Sequence, residues 1–156
     1  MVGRHGREAG FTLIEVVCVL AIVALLASVA WPYLPRQTSR PRLQAYALQA
    51  VTLLKSDRAA SMRNGLRVDT RLDTSRRLIS SGSGGAALKL PDDVGFQATL
   101  PRSCQQRPVM ATISFFPDGL SCGGAITLSR ADLSLEIRVN WLTGRIDIVS
   151  RALANG

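Results

Sequence analysis

The sequence predicts an α+β fold in which an apolar segment and an amphipathic helix precede antiparallel β-strands. The apolar segment covers residues 11–31, where 18 of the 21 side chains are apolar. Helical periodicity follows over residues 43–54, and the period changes to two after Gly65. A length of 156 residues allows one modest domain with an appendage and excludes a large multidomain enzyme.

The apolar segment is long enough to cross a membrane once. As a helix, residues 11–31 would measure about 31 Å, close to the roughly 30 Å hydrocarbon core of a bilayer. A cleaved signal peptide is the alternative, with Arg4, His5 and Arg7 as its charged front and Ser28-Val29-Ala30 as its cleavage site before Trp31. Glu15 favours a retained segment, because a lipid-facing carboxylate at the centre of a helix costs about 2.5–3.5 kcal/mol and a disposable peptide has no use for it.

A second, amphipathic helix is predicted beyond the apolar segment. Pro32, Pro35 and Pro41 indicate a kink or break before it, and Asn64-Gly65 supplies a stop signal. We expect its apolar face to pack on a sheet. That face carries Leu43, Ala47, Ala50, Val51 and Leu54, opposite Gln49, Thr52, Ser56 and Arg63.

Alternating apolar and polar side chains predict the strands. In the first strand we expect Leu66, Val68, Thr70 and Leu72 on the buried face. Further alternation covers residues 133–140 and 146–148, with a hairpin turn at Thr143-Gly144, and a turn is predicted at Pro117-Asp118-Gly119. The serine and glycine composition of residues 80–85 predicts a flexible loop, and no Gly-Lys-Ser/Thr follows that would make it a phosphate site.

The junction Gly10-Phe11-Thr12-Leu13-Ile14-Glu15, after a short basic leader, resembles the signature of type IV pilins and of the pseudopilins of type II secretion. The resemblance implies that a prepilin peptidase removes residues 1–10 by cutting between Gly10 and Phe11. It also implies that Phe11 is then N-methylated and that Glu15 acts in assembly.

The same resemblance implies a pilin-like fold. In that fold one long N-terminal helix has its first half in the membrane, here residues 11–31, and its second half outside it, here residues 32–65. The second half packs on an antiparallel β domain, here residues 66–156. The resemblance further implies a single-pass protein of the cell inner membrane, with a cytoplasmic N-terminus and a periplasmic soluble domain.

A second resemblance covers the C-terminal third. Residues 113–119, 123–128 and 139–146 look like the globular domain of the GspH class of minor pseudopilins, shared with the FimT class of minor type IV pilins. It implies a non-enzymatic pseudopilus subunit that works with other major and minor pseudopilins and the inner-membrane assembly platform. A FimT-like minor pilin in pilus assembly or DNA uptake is the alternative, and a periplasmic binding protein with a signal peptide is a third hypothesis.

The residues offer little for catalysis or for cofactor binding. The only histidine, His5, lies in the predicted leader, so a serine or cysteine nucleophile has no histidine base in the mature chain. Asp92, Asp93 and Asp118 are too scattered for a metal site and are typical of turns. We therefore expect no enzyme, no metal and no cofactor.

Three cysteines have different expected roles. Cys18 lies within the predicted span and is expected to act as a small buried hydrophobe. Cys104 and Cys122 would lie in an oxidising periplasm, where a disulfide between them and two free buried thiols both remain open.

Positive charge is the least explained feature of the chain. The net charge is +8, and residues 32–156 carry 15 arginines but only two lysines. Under the alternative hypothesis an arginine face would bind DNA phosphates. The candidates are Arg76, Arg77, Arg102 and Arg107, together with Arg36, Arg40 and Arg42. A compositional preference for arginine explains the same excess without nucleic acid.

Overall fold

The computed structural model describes residues 12–30 and 38–152, and the chain divides into two compact units, Met1–Arg36 and Gln37–Gly156. The described part of the first unit is helix α1, Leu13–Ala30. Every side chain over residues 12–27 is exposed.

The predicted membrane span, residues 11–31, begins and ends on residues outside those described. Within residues 12–30 and 38–152, no helix has the length and hydropathy that a membrane crossing requires.

The second unit opens with helix α2, Arg40–Asn64. Pro41, one of the three prolines expected to mark a kink or break before this helix, lies in its first turn, where the missing N–H has no intrahelical acceptor to lose. Pro32 and Pro35 lie outside the described residues. The helix ends as predicted, because Gly65 adopts the left-handed conformation with φ 66° that glycine tolerates at this position.

Antiparallel strands follow α2. Those within the described residues are β1 (Val68–Asp73), β2 (Leu78–Ser80), β3 (Ala87–Lys89), β4 (Gly95–Thr99), β5 (Ser103–Cys104), β6 (Arg107–Pro108), β7 (Thr112–Phe115), β8 (Gly124–Arg130), β9 (Leu133–Val139) and β10 (Ile146–Ala152). They form two four-stranded sheets and one small hairpin. Sheet I has the order β3-β2-β1-β7, sheet II has the order β10-β9-β8-β4, and β5 pairs with β6.

The predicted alternation of strand β1 is confirmed with one exception. Val68, Thr70 and Leu72 are buried, each fitting the period of two. Leu66 was predicted to share that buried face, and this prediction was wrong. Its side chain is 67% exposed because the strand begins only at Val68, and Leu66 lies in the link from α2.

Both predicted turns are present. Gly144, with φ 62°, lies in the connection between β9 and β10, which pair along their whole length. Gly119, with φ 82°, closes the other turn by donating its N–H to the carbonyl of Phe116 at 2.9 Å. Since β7 belongs to sheet I and β8 to sheet II, this second turn carries the chain from one sheet to the other.

The core lies between α2 and the inner faces of the two sheets. All five residues of the predicted apolar face of α2 are buried. They belong to one cluster with Ile113 and Phe115 of sheet I and with Ile126, Leu128 and Ile137 of sheet II. The helix contacts strands of both sheets, so its position fixes theirs, while its opposite face remains exposed.

Candidate functional site

Glu15 lies in the first turn of α1, and its side chain is exposed. Its backbone N–H donates to the carbonyl of Thr12 at 3.0 Å. No hydrogen bond or ion pair is found for its carboxylate anywhere in residues 12–30 or 38–152. Gly10 and Phe11, the predicted cleavage and methylation residues, lie outside the described residues, so those predictions remain predictions.

Asp57 is the only carboxylate of α2, and it is completely buried. It lies three residues beyond Leu54 and four before Ser61, both buried, so it falls on the same helical face as the apolar core. A buried carboxylate is stable only when its oxygens are well hydrogen-bonded. The position of Asp57 therefore demands donors from elsewhere in the chain.

Residues 80–85 and strand β1 supply those donors. Ser81 Oγ donates to Asp57 Oδ1 at 2.5 Å, Ser83 Oγ at 2.7 Å, and Thr70 Oγ1 to Oδ2 at 2.6 Å. The backbone N–H groups of Gly82 and Ser83 add bonds of 3.0 and 3.2 Å. The segment expected from its composition to be a flexible loop is instead fastened to α2 through one carboxylate.

This arrangement determines the charge state of Asp57. Burial raises its pKa, but hydrogen bonds from Ser81, Thr70, Ser83 and Gly82 outweigh burial and hold the pKa below its ordinary value. Gly82 is necessary for the geometry, because a Cβ at this position would overlap the backbone of Asp69. Asp57 is therefore ionised at neutral pH and fixes the helix to sheet I.

Arg58, the next residue along α2, bonds two connections between strands. Its Nε donates to the carbonyl of Gly119 and its Nη2 to the carbonyl of Thr143, each at 3.0 Å. One side chain thus joins the turn before β8 to the turn between β9 and β10. Asp57 and Arg58 together connect α2 to loops of both sheets.

The aspartates considered as metal ligands have other roles. Asp93 accepts the backbone N–H of Thr38 at 2.7 Å and its hydroxyl at 2.9 Å, and pairs with Arg130 Nε at 2.9 Å. These bonds from Thr38, with the nearby guanidinium, hold the pKa of Asp93 below its usual value. Asp118 accepts the N–H of Leu120 within its own turn. In the described residues no three histidine, cysteine, aspartate or glutamate side chains form a group that could hold a metal ion.

The arginines proposed for DNA contact fall on two elements. Arg76 and Arg77 lie in the turn between β1 and β2, where they pair with Asp73 at 3.7 Å and Asp92 at 2.9 Å. Arg102 and Arg107 lie beside and within the β5–β6 hairpin and are exposed. Of the other candidates, Arg40 pairs with Asp132 at 2.7 Å, Arg42 is exposed on α2, and Arg36 lies outside the described residues. Acidic neighbours thus offset the charge of two of the four main candidates, Arg76 and Arg77. This weakens the argument for a phosphate-binding face.

Cys104 and Cys122 lie together as a disulfide, with their Cα atoms 5.5 Å apart. The bond joins the β5–β6 hairpin to the segment that leads into β8. Cys18, expected to be a small buried hydrophobe, is exposed on α1.

Comparison with known proteins gives a consistent result. Residues 5–31 match the model of the prokaryotic N-terminal methylation motif. Over 137 residues the chain is 28% identical to the type II secretion system protein H of Xanthomonas campestris. The matched region covers 88% of this chain and 80% of the relative.

The fold is similar to that of the minor pseudopilin EpsH from the type 2 secretion system of Vibrio cholerae. The TM-score is 0.50 at 9% sequence identity, and the match covers 76% of this chain and the whole of EpsH. The N-terminal motif, the relative in sequence and the shared fold agree: the chain has an N-terminal methylation motif and a pilin-like fold, and it is similar to protein H of type II secretion systems.

Proposed function

We propose that the chain is a minor pseudopilin, a non-enzymatic subunit of the type II secretion pseudopilus that acts in protein export across the outer membrane. One observation carries the proposal: an N-terminal methylation motif stands before a domain with the fold of EpsH. Both relatives are named as components of a secretion system, which supports a structural role over an enzymatic one.

Maturation begins with removal of the leader. A prepilin peptidase cuts between Gly10 and Phe11, and Phe11 becomes the N-methylated first residue. The match over residues 5–31 supports this step because it includes the proposed cleavage site and the apolar segment after it.

The exposed apolar surface of α1 supports its role in anchoring and assembly. A helix that is apolar around its whole circumference needs lipid or other helices around it. Residues 11–31 hold the chain in the inner membrane, with the N-terminus in the cytoplasm and the β domain in the periplasm. The disulfide between Cys104 and Cys122 suits that oxidising compartment.

Glu15 sets the register when the subunit joins the pseudopilus. Its exposed carboxylate pairs with the N-terminal amine of a neighbouring subunit, and each charge offsets the desolvation of the other. The neighbours are other major and minor pseudopilins, and the inner-membrane assembly platform inserts the subunit among them.

N-terminal sequencing and intact mass of the chain from its own membranes test the proposal. We expect the mature chain to begin at Phe11 and to carry one added methyl group. Gly10→Val should leave the full-length chain uncut and should fail to restore export in cells lacking the protein. Gly3→Val, the matched change within the leader, should be cleaved normally and should restore export. A chain that begins at Met1, or at Trp31 after signal-peptide cleavage, would contradict the proposal.

Loss of the chain also separates secretion from the pilus alternative. If the chain is a pseudopilin, its loss leaves exported proteins in the periplasm. In a minor type IV pilin, the same loss would remove pili or DNA uptake and leave export unchanged.

A further inference from the structure

Exposed apolar side chains gather at one end of the second unit. Of the eight large apolar side chains exposed in residues 38–152, five define this apolar end: Met62, Leu66, Leu120, Trp141 and Leu142. The most prominent are Trp141, 66% exposed, and Leu142, 56% exposed, which follow one another in the turn between β9 and β10. Clustered side chains of this size mark a surface that another molecule covers.

Strand pairing and two further contacts show that these side chains lie together. The link before β1 and the turn after β7 are adjacent, because the first residue of β1 pairs with the last residue of β7. The N–H of Ser121 donates to the carbonyl of Trp141 at 3.1 Å, so the turn after β7 also adjoins the turn after β9. Gly119 lies against Met62 of α2, since a Cβ at this glycine would be 3.4 Å from Met62 Sδ. The last turn of α2 and the three connections therefore form one surface.

The backbone of the β9–β10 turn is already bonded within the molecule. Asn140 Oδ1 accepts the N–H groups of Leu142 and Thr143 at 2.9 and 3.0 Å. The carbonyl of Asn140 accepts the N–H of Gly144 at 2.8 Å. Trp141 and Leu142 therefore enter an apolar medium without leaving these polar groups unpaired, which is the condition for burial in lipid.

A cationic hollow of about 600 Å³ opens beside the apolar end, between α2 and the β9–β10 turn. Lys55 and Arg58 line it, and neither has an ion pair in residues 12–30 or 38–152. Arg58 is half-buried and donates to two carbonyl oxygens, so no carboxylate in those residues balances its charge. Arg145 is the third cation of the lining, and it pairs at 2.9 Å with Asp147, the one acid among the lining residues. Three cations against one carboxylate leave an excess of positive charge that attracts an anion.

From this juxtaposition we infer that the apolar end and the cationic hollow together bind the surface of an anionic phospholipid bilayer. Trp141 and Leu142 enter the boundary between headgroups and acyl chains, where the amphipathic indole ring of tryptophan is favoured. A lipid phosphate lies in the hollow against Lys55 and Arg58. The contact uses no residue of α1, and it goes beyond the proposed function.

Two other occupants fit less well. A nucleic-acid strand would meet only two unpaired cations in the hollow, and Met62, Leu120 and Leu142 have no aromatic face on which a base could stack. A protein partner would have to supply a pocket that matches the projecting tryptophan. A lipid surface requires only apolar side chains that project beside positive charge, and this chain provides both by itself.

A fluorescent probe whose emission shifts to the blue in an apolar medium tests the inference at position 142. The full chain is held in phosphatidylcholine nanodiscs, with Cys18→Ala so that the only free thiol is the one introduced by Leu142→Cys. We expect the shift when vesicles of phosphatidylcholine and phosphatidylglycerol in equal parts are added. The affinity for vesicles of phosphatidylcholine alone should be about thirtyfold lower, because each of the two unpaired cations contributes about fivefold.

The matched control for the probe is Met110→Cys. Met110 is 81% exposed, but it precedes β7, whereas the apolar end includes the turn that follows β7. A probe at position 110 should therefore show no shift with either kind of vesicle.

Substitutions separate the contributions of the apolar end and of the hollow. Trp141→Ser should lower the affinity for the mixed vesicles by about tenfold or more, and Lys55→Gln should lower it about fivefold. Arg107→Gln, an equal change of charge on the β5–β6 hairpin, should leave it unaltered. All three side chains are exposed, so circular dichroism should show an unchanged fold in each variant.

Several results would overturn the inference. They are no shift at position 142 with the mixed vesicles, an equal shift at position 110, or equal affinity for the two kinds of vesicle. In native cells, a photoreactive amino acid at position 142 should form adducts with phospholipid. An adduct with a polypeptide or with nucleic acid in place of lipid would show a different occupant and would refute the inference.

Discussion

The two helices each carry one carboxylate, and the surroundings of the two carboxylates are opposite. On α1, Glu15 is exposed among apolar side chains and has no partner in the described residues. On α2, Asp57 is completely buried and accepts five hydrogen bonds. The chain thus satisfies the charge of Asp57 internally, whereas no partner for Glu15 lies in residues 12–30 or 38–152.

This contrast separates a folding role from an assembly role. Replacing Asp57 should change the stability of the β domain, since all of its partners belong to that domain. Replacing Glu15 should change only what the chain does with other chains.

The largest effect is expected for Glu15→Gln. In the proposed assembly Glu15 forms a buried ion pair, and removing one partner of such a pair costs about 3–5 kcal/mol, which would lower the fraction of the chain in assembled pseudopili by on the order of a hundredfold or more. The fraction is measured by immunoblotting of sheared pseudopili against the membrane pool. Cys18→Ala, a neutral change on the same helix, should leave it unaltered, and normal assembly of Glu15→Gln would refute an assembly role for this carboxylate.

Asp57→Asn should destabilise the β domain by about 3 kcal/mol. The amide keeps the size of the side chain but removes the charge that the hydroxyl and backbone donors of residues 81–83 surround. Urea unfolding of residues 37–156, followed by circular dichroism, measures the free energy of unfolding.

The matched control for this change is Asp69→Asn. Asp69 is an exposed aspartate of β1 whose pairing with Arg67 lies at the surface, so we expect a change within about 0.5 kcal/mol. Gly82→Ala should destabilise in the same direction as Asp57→Asn, because its methyl group displaces the donor loop from the Asp69 backbone. Equal stabilities for Asp57→Asn and Asp69→Asn would show that the buried carboxylate does not hold the domain together.

The difference between the two carboxylates also shows what a sequence can reveal. Glu15 is recognisable because its signal is local: the residues from Gly10 onward form one contiguous motif. The apolar face of α2 and its end at Gly65 are likewise set by neighbours along the helix and were predicted correctly.

The environment of Asp57 was not predicted, because its donors lie up to 26 residues away in a segment whose composition is typical of flexible loops. One signal was present: Asp57 continues the buried face at helical spacing from Leu54, which implies a partner for its charge. Strands β2 to β6 were also missed. They have two to five residues each, too few for a clear alternation to develop.

The disulfide gives a third, independent perturbation of the β domain. Cys104 and Cys122 are separated by 18 residues, and opening so short a loop should lower the free energy of unfolding by about 2–3 kcal/mol. The measurement is urea unfolding of residues 37–156 with and without Cys104→Ser and Cys122→Ser. Because the Asp57 cluster shares no residue with the disulfide, the two losses should add to within about 0.5 kcal/mol. Two free thiols in the protein purified without reductant would contradict the pairing itself.

The smallest effect is expected from acid. Hydrogen bonds hold the pKa of Asp57 below its ordinary value of 3.8 in the folded domain. The ionised carboxylate therefore contributes its full stabilisation above the unfolded pKa, and that contribution is lost as the pH falls through the folded one. Asp73, Asp93 and Asp132 have pKa values lowered in the same direction, so the whole domain should weaken in acid.

Only the difference between the native domain and Asp57→Asn isolates the buried group, because the other aspartates titrate alike in both. That difference in free energy of unfolding should be constant between about pH 5 and 7 and should shrink below about pH 4. Urea unfolding across this pH series measures it. If the difference instead shrank as the pH rose from 5 to 7, the folded pKa of Asp57 would be raised, and burial would outweigh the serine and threonine donors.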